Sequence, residues 1–367
     1  MLCVVAVIIA VLLSGQSDGE ATPTSEAVAE ATQEAQPTEP AADTSEPTRL
    51  PPTATPPPVG MSRSHPFPRA EVASVPGWDV RVLDTVRGDA AWQALQAANQ
   101  FNEPAPVGME YLLVKLHVQC TYEDSEEHLI GTGDFRVTGD RHERYFTAMA
   151  VEPEPQLDAA LYSGGETEGW VSYLVGQEEG TLILVIDELM NFVENRVRYI
   201  ALDEGASVSI PADLSGIEPT DFGTDRDDPA PLGETVTTED WQVTLLEVVR
   251  GEEAWQMIQE ANEFYDPPEA GMEYIAVRVE ARNISTTDSP TTVDGTWFKT
   301  TGTANVLYDW PSVVDPSPAF DCDLFPGGVC QGWMTLQAAQ GETGLVAVFE
   351  PLFELFGGNK RFLSLEP

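Results

Sequence analysis

Hydrophobic and polar positions alternate along several short stretches of the chain, and this pattern predicts β-strands with one buried face. Residues 78–83 (WDVRVL) and 114–120 (VKLHVQC) both show the alternation. Residues 181–186 (TLILVI) instead form a continuous apolar run, which is typical of a strand covered on both faces. Turn residues separate these runs at short intervals, so the pattern indicates many short antiparallel strands.

A helical spacing interrupts the strand pattern after residue 88. We expect Asp89 to cap this helix, and the helical pattern ends near Asn99 and the turn at Pro104. The apolar stripe of the helix consists of Ala91, Trp92, Leu95 and Ala98. Because such stripes usually belong to a core, we expect Trp92 to pack the helix onto a sheet rather than to stack on a ligand.

The whole pattern occurs twice in the chain. A shift of 163 positions places Trp78 on Trp241 and, without a gap, aligns WDVRVLDTVRGDAAWQALQAANQFNEPAPVGMEYLLV with WQVTLLEVVRGEEAWQMIQEANEFYDPPEAGMEYIAV. The second copy repeats the helical stripe with Ala254, Trp255, Ile258 and Ala261. A period of this length predicts tandem domains rather than a solenoid, since each copy is long enough to close a core of its own.

The first residues of the chain resemble an export signal. Residues 2–13 (LCVVAVIIAVLL) form an apolar run that is too short to span a bilayer. No basic residue precedes the run, and Gln16 stands where a bacterial lipoprotein carries its lipidated cysteine. We therefore expect export followed by cleavage near residues 14–17, without lipidation and without a transmembrane span in the mature protein. Whether the protein stays at the envelope or is secreted remains open at this point.

Composition divides the rest of the chain. Residues up to about Arg63 are dominated by Thr, Pro, Ala, Ser and Glu and cannot form a core. The predicted organisation is a signal peptide (1–17), a disordered stalk (18–63), a first β-sandwich (64–210), an acidic linker (211–227) and a second β-sandwich (228–367). The predicted fold class is mainly β, with two antiparallel sandwiches that each contain one short inserted helix.

Two motifs and the closing sequence of the repeats carry a resemblance to a known group of proteins. They are GMEYLLV from residue 108 with GMEYIAV from residue 271, the Gly-Gly and Gly-Trp pairs at 164–170 and 327–333, and the EPLF and RF motifs at 350–362. The chain resembles tandem bacterial extracellular immunoglobulin-like domains of unknown function, related to the fold of a mycobacterial secreted immunoprotective antigen. The resemblance implies an immunoglobulin-like fold and an exported protein, and it supplies no catalytic residue.

Charge excludes several classes of partner. The chain contains 61 Asp and Glu against 18 Lys and Arg, which gives a formal net charge of −43. Nucleic-acid binding requires clustered basic residues, and none are present, so we exclude nucleic acid as a partner. Repulsion likewise disfavours binding to a bare anionic membrane.

Two of the four cysteines have the spacing of a hairpin cross-link. Cys322 and Cys330 flank a turn-bearing segment, and we predict a disulfide between them. Ala159 and Thr167 occupy these positions in the first copy, so the cross-link would reinforce only the second domain. Cys120 falls on the inward face of its strand and is expected to be a buried, inert thiol.

Metal sites are weaker alternatives. The linker offers four carboxylates as calcium candidates, Asp221, Asp225, Asp227 and Asp228, although their spacing is not that of an EF-hand. His117, His128 and His142 occur only in the first copy and are a possible zinc set, against which we favour solvated histidines. We otherwise expect no cofactor and no catalytic residue, because the sequence contains no known nucleophile or nucleotide-binding motif.

The sequence therefore favours an exported, non-enzymatic protein with two tandem domains that binds a protein or glycan partner, or acts as an accessory or spacer module of the cell envelope. A sensor of a small solute or of calcium is the alternative. A hydrolase that uses carboxylates is a second alternative, which a pocket with buried carboxylates in one copy alone would favour. We expect any specialised site to lie where the two copies differ.

Overall fold

A computed structural model describes residues 58–187, 196–351 and 359–366. The predicted signal peptide, most of the predicted stalk and part of the closing EPLF motif lie outside these ranges. Within them the chain is mainly β and forms two β-sandwiches, each with one α-helix. This confirms the predicted fold class for the two copies.

The elements of the first copy follow the predicted order. They are β1 (Ala73–Val75), β2 (Trp78–Arg87), α1 (Asp89–Ala98), β3 (Met109–Cys120), β4 (His128–Gly131), β5 (Phe135–Thr138), β6 (Arg144–Tyr145), β7 (Asp158–Leu161), β8 (Glu166–Gly176), β9 (Ile183–Ile186) and β10 (Arg198–Ala201).

The second copy repeats these elements. They are β11 (Thr235–Thr237), β12 (Trp241–Arg250), α2 (Glu252–Ala261), β13 (Met272–Asn283), β14 (Thr291–Asp294), β15 (Phe298–Thr301), β16 (Leu307–Tyr308), β17 (Asp321–Leu324), β18 (Val329–Ala339), β19 (Val346–Phe349) and β20 (Arg361–Ser364). Every element is displaced by 163 positions from its counterpart, except that β11 begins and ends one residue early.

Each sandwich contains two antiparallel four-stranded sheets. In the first copy the strand orders are β1-β2-β3-β8 and β10-β9-β5-β6, and β4 pairs with β7 as a separate ribbon. The second copy has the orders β11-β12-β13-β18 and β16-β15-β19-β20, with β14 paired to β17. The register shift between Val82 and Asp84 recurs between Leu245 and Glu247, so even this irregularity is duplicated.

The two sandwich cores follow the alternation of the sequence. Trp78 and Trp241, which open the equivalent strands β2 and β12, are both buried. The four residues of β9 are all buried, as the continuous apolar run predicts. The separate apolar clusters show that each copy closes a core of its own.

The inserted helices pack on their sheets through aromatic side chains. Trp92 stacks on Tyr111 with ring centroids 5.8 Å apart, and Trp255 is buried against Tyr274 and Ile258. This confirms the predicted packing role of the tryptophans. The prediction that Asp89 caps the helix was wrong, because the capping position belongs to Gly88, whose φ of 64° suits glycine, and Asp89 lies in the first turn.

Residues at both ends of the first copy are folded beyond the predicted boundaries. The amide of Tyr199 donates to the carbonyl of Gly60, and Arg63 is fully buried, although both positions were assigned to the stalk. In the predicted linker, Leu214 is buried within a short 3₁₀ turn over residues 212–216. The folded region therefore includes residues that composition had assigned to the disordered stalk and to the acidic linker.

A hairpin of the second sandwich packs into the first. The joint hairpin, residues 322–330, carries Phe325, which is 0% exposed. The Phe325 ring lies in an apolar cluster with residues of the first copy, including Val185 and Tyr199. The Arg63 guanidinium carbon lies 3.9 Å from the centroid of the same ring, within the range of a cation–π interaction.

Polar contacts fix the position of the joint hairpin. The Phe325 amide donates to the His142 carbonyl at 2.8 Å, and Leu324 forms an antiparallel bridge with Glu143 beside β6. Two ion pairs cross the joint, Arg63 with Asp288 at 2.6 Å and Arg144 with Asp323 at 2.5 Å. Since each pair has a buried member, removing one partner would leave a poorly solvated charge.

The disulfide closes this same hairpin. Cys322 and Cys330 are joined, with their Cα atoms 6.4 Å apart, which confirms the predicted pair. Gly327, with φ of 95°, has so little space that an added Cβ would lie 2.6 Å from the Pro211 side chain. The disulfide therefore braces the segment that contacts the first sandwich.

The equivalent hairpin of the first copy is free of such contacts. Tyr162 stands at the position of Phe325 and is 60% exposed, and a Cβ added at Gly164 would meet no atom within 4 Å. The hairpin that carries the disulfide is thus the one that packs against the other sandwich.

We predict that Phe325→Ala will separate the two sandwiches without unfolding either. The substitution should cost about 3 kcal/mol at the joint, as expected for a fully buried phenylalanine. Calorimetry should then show two thermal transitions where the wild type shows one. Tyr162→Ala is the matched control and should change the stability by less than about 0.5 kcal/mol, since the side chain is exposed. A single unchanged transition in Phe325→Ala would show that the joint does not couple the sandwiches.

Candidate functional site

The calcium candidates of the linker do not converge. Asp221, Asp225, Asp227 and Asp228 are all exposed. One Asp225 carboxylate oxygen accepts the Asp227 amide at 2.9 Å, as in a local turn. Across the described ranges, no three His, Cys, Asp or Glu side chains are placed to share a metal ion. The linker site has no geometric support and stays a prediction.

The three histidines of the possible zinc set have separate partners. His117 contacts Glu166 at 3.0 Å, and His128 contacts Asp124 at 2.8 Å. The Nδ1 atom of His142 lies 3.1 Å from an Arg63 guanidinium nitrogen, within the joint. Cys120 is buried in the first core, as expected.

The position of His142 controls its protonation. Burial lowers the pKa of His142 to about 4, and the positive charge of Arg63 acts in the same direction. Asp288 and Asp140 oppose this shift, whereas Arg282 adds to it. The imidazole is therefore neutral near pH 7 and can accept a hydrogen bond from Arg63, which contributes to the joint.

The second sandwich contains a cleft with three carboxyl groups. Asp294 and Asp321 are directly opposite each other on β14 and β17, and Asp315 accepts the Thr335 amide at 2.7 Å. The three residues and the exposed Trp310 line a cleft of about 190 Å³. Burial raises the pKa of both Asp315 and Asp321, and the nearby Asp294 charge adds to each shift.

The first sandwich lacks this arrangement. Gly131 is paired with Asp158 where the second copy has the Asp294 and Asp321 pair. Glu152 takes the position of Asp315 and accepts the Ser172 hydroxyl at 2.9 Å. The cleft is thus a difference between the copies that the joint does not explain.

A second surface feature is present in both copies. The loops that follow the helices, residues 99–108 and 262–271, present Phe101 and Phe264 at equivalent positions, 81% and 88% exposed. In each loop the side chain of the preceding asparagine, Asn99 or Asn262, accepts the amide of the phenylalanine at about 3 Å. A defined turn therefore holds each aromatic ring in an exposed position.

Aliphatic residues extend both exposed surfaces. In the first copy the Asn102 side chain forms two hydrogen bonds with the Val151 backbone, each 2.9 Å long, and so joins the loop to an exposed valine. In the second copy Tyr265 and Val313 pack in one cluster beside α2, and the adjacent Val314 is exposed. We define Phe101 with Val151, and Phe264 with Val314, as the two loop surfaces.

A cavity adjoins the first loop surface. Of two cavities in the first sandwich, one lies near residues 64–70 and has a volume of about 610 Å³. The second lies beside the loop, between Trp92, Pro104 and Tyr111, and measures about 450 Å³. The Tyr111 hydroxyl donates to the Glu103 carbonyl at 2.8 Å and holds the loop at the edge of this second cavity. The loop that carries Phe101 therefore also lines this cavity, through Pro104 and Ala105.

Sequence reasoning did not identify the loop surfaces. The available signal was the coincidence of Phe101 and Phe264 at the 163-residue shift, in the segments NQFNEPAPVG and NEFYDPPEAG. A shared aromatic residue in a repeat usually reports the common core, and its exposure could be read only from the structure.

Comparison with known proteins adds no function. No known protein family matches the sequence, and no curated protein matches it. Among solved structures, the putative lipoprotein YcdA of Bacillus subtilis matches at 12% identity and a TM-score of 0.28, over 36% of this chain and 38% of that one. The YjhA protein of Bacillus subtilis matches at 14% identity and a TM-score of 0.27, over 37% of this chain and 99% of that one.

The matched region is just over a third of this chain and spans well under two thirds of YcdA. Neither of the two α-helices in the described ranges has the length and apolar character that a bilayer crossing requires.

We predict that acid weakens the joint through His142. Its pKa is lowered in the folded protein, so the unfolded chain binds more protons between about pH 6.5 and pH 4, and this contribution to stability falls as the pH falls through that range. In His142→Asn the contribution should be absent. Asn305 holds the equivalent position with φ of 59°, against 61° for His142, so asparagine fits the backbone.

The measurement is the difference in urea unfolding midpoint between wild type and His142→Asn at pH 7 and pH 5. Buried carboxyl groups such as Asp323, whose pKa is raised by burial, act in the opposite direction and cancel in this difference. The wild type should lose stability relative to the variant at pH 5. Parallel curves would contradict the role of His142.

Proposed function

We propose that the protein is an exported, non-enzymatic binding module whose two joined sandwiches present the two loop surfaces to a protein partner. The observation that carries this proposal is the exposure of Phe101 and Phe264 at equivalent positions. A phenylalanine left in water forgoes the stabilisation that burial would supply, and aromatic side chains are frequent anchors of interfaces. Neither ring contributes to its sandwich core, so folding does not explain why both copies have one.

The joint supports a bivalent mode of binding. Phe325 and the ion pairs of Arg63 and Arg144 hold the sandwiches against each other, so the spacing of the two loop surfaces is restricted. Two sites at a fixed spacing raise the affinity for a partner that reaches both, because the second contact becomes intramolecular. An accessory or spacer role in the envelope is compatible with this geometry.

Export rests on the apolar run of residues 2–13 and on the composition of the stalk. The immunoglobulin-like assignment rests on the GMEYLLV and GMEYIAV motifs and the two Gly-Trp hairpins. We propose both as the setting of the binding function, in the medium or at the envelope. The sandwich fold itself hosts many functions and does not select among them.

We predict that a photoreactive phenylalanine analogue at position 101 or 264 will cross-link to a partner. The chain is expressed in the producing cells, which are irradiated and separated into cytoplasmic, envelope and medium fractions. The chain should leave the cytoplasm, and adducts should form from both positions. Position 129 is the control, because Leu129 is exposed, lies in the first sandwich and has a polar counterpart, Thr292.

Two results would contradict the proposal separately. Retention of the chain in the cytoplasm would reject export. Export without adducts at positions 101 and 264, or with equal adducts at position 129, would reject the loop surfaces as the binding site.

The carboxyl cleft favours a second candidate function, a hydrolase. A raised pKa lets a carboxyl group hold its proton to a higher pH, as a general acid requires, and burial next to Asp294 raises the pKa of both Asp315 and Asp321. Its confinement to the second sandwich also fits a site that evolved in one copy. Calcium sensing has no comparable observation in its favour.

If the cleft is catalytic, we predict that the protein will hydrolyse at least one member of a panel of nitrophenyl glycosides and esters. Asp315→Asn should abolish that activity because the amide cannot transfer a proton. Glu152→Gln, at the equivalent position of the first sandwich, should leave the activity unchanged. Release of nitrophenol at the rate of the buffer blank across the panel would reject this candidate.

A further inference from the structure

We infer that the partner of the loop surfaces is a cationic segment with apolar side chains, such as one face of a Lys-rich amphipathic helix. This inference rests on the proposed binding function and specifies the chemistry of the partner. The inference follows from the charged residues near the two exposed phenylalanines. These residues are acidic in both copies, and there are more of them in the second copy than in the first.

The second loop surface is strongly acidic. Glu260, Glu263, Asp266 and Glu269 surround Phe264 in the sequence and are all exposed. No Lys or Arg occurs between residues 251 and 277, so these carboxylates have no cationic neighbour within the helix and loop. An apolar ring within a field of uncompensated negative charge favours a partner that supplies both apolar contact and positive charge.

The first loop surface is a weaker version of the second. Glu103 is the exposed carboxylate next to Phe101 in the loop, and again no Lys or Arg occurs between residues 88 and 114. The two surfaces therefore offer the same aromatic contact with different amounts of charge. Binding at Phe264 should depend on salt more strongly than binding at Phe101, because screening acts on the charged part of the interaction.

Charge also argues against the other occupants of an apolar surface. A second copy of this chain would bring another formal charge of −43 to the interface. Anionic lipid and nucleic acid are repelled in the same way. A neutral lipid surface is not repelled, but it would gain nothing from the carboxylates that surround Phe264, so it does not account for their placement.

The arrangement of the phenylalanine and the valine in each loop surface suits an elongated partner. The phenylalanine lies three residues beyond the end of the ten-residue helix α1 or α2, and the exposed valine lies on the neighbouring segment, Val151 or Val314. Two apolar contacts with carboxylates beside them match the pattern of apolar residues at one face of a helix and Lys at its borders.

The test uses the full mature chain and four synthetic probes, of which three are peptides of equal length and one is a vesicle. The probes are an amphipathic Leu–Lys peptide, its Leu–Glu and Ser–Lys analogues, and neutral phosphatidylcholine vesicles. Fluorescence anisotropy at low and at physiological ionic strength reports the peptides, and co-sedimentation reports the vesicles. The Leu–Lys peptide should bind about tenfold more tightly than either analogue, and the vesicles should not bind.

Variants assign the binding to the loop surfaces. Phe264→Ala should weaken Leu–Lys binding by about tenfold, with a smaller loss in Phe101→Ala. The double substitution Glu263→Lys with Glu269→Lys should also weaken it and should reduce its dependence on salt. Leu129→Ala removes an equally exposed apolar side chain elsewhere and should leave the affinity unchanged.

Equal binding of the Leu–Glu peptide, binding of the vesicles in place of the Leu–Lys peptide, or no binding of any probe would overturn the inference. Unchanged affinity in both phenylalanine variants would overturn it as well. These failures are distinct from failure of the proposed function. Adducts at positions 101 and 264 in cells, without Leu–Lys binding, would leave the binding function intact and reject only the cationic apolar class.

Discussion

The packing of Phe325 into the first sandwich is the contact on which the arrangement of the two sandwiches depends. Its ring is fully buried among residues of the other copy and covered by the Arg63 guanidinium. The surrounding ion pairs and the backbone bond to His142 set its orientation, but they supply little stability without it, because paired buried charges roughly offset their own desolvation. Removing the ring would leave those charges around a cavity.

Several of the residues that differ between the copies lie at this joint. The disulfide, the buried Arg63 and the neutral His142 all contact or brace the joint hairpin. In the copy whose hairpin is free, alanine and threonine replace the cysteines and the tip carries an exposed tyrosine. We expected the divergent residues to mark a specialised site, but this group of them is explained by the contact between the copies. The carboxyl cleft is the exception, since the contacts described for the joint are made by Phe325, Asp288 and Asp323 and not by the three carboxyl groups of the cleft.

The proposed binding function rests on residues that the copies share rather than on these divergent ones. Phe101 and Phe264 do not enter a core, and each is positioned by an asparagine turn at the end of a helix. In the proposed function, the joint makes the two rings parts of one bivalent surface, because the contacts of Phe325 hold the sandwiches against each other. Solubility would explain the excess of acidic residues but not the exposed ring of Phe264 among them. The proposed binding of a cationic, apolar partner explains both.

The sequence by itself determined the strands, the helices, their duplication at a shift of 163 positions and the disulfide pair. The strands and helices depend on local periodicity, and β2, β9 and α1 follow their patterns closely. The disulfide joins two cysteines that are close in the sequence, and the duplication can be read directly from the repeated residues. The cap of α1 was missed because Gly88 and Asp89 are adjacent and both suit a helix start. Composition misplaced residues 58–63 and 212–216, since it reports whether a segment can form a core and not whether it can pack on one.

Only the tertiary structure decided which of two equivalent residues is buried. Tyr162 and Phe325 occupy the same place in their hairpins, yet one is exposed and the other is enclosed by Arg63, Val185 and Tyr199. A periodic pattern shows which face of a strand turns inward, because that depends on neighbours in the chain. The burial of a loop residue depends on a surface more than a hundred residues away, and nothing in the local pattern records whether that surface is present.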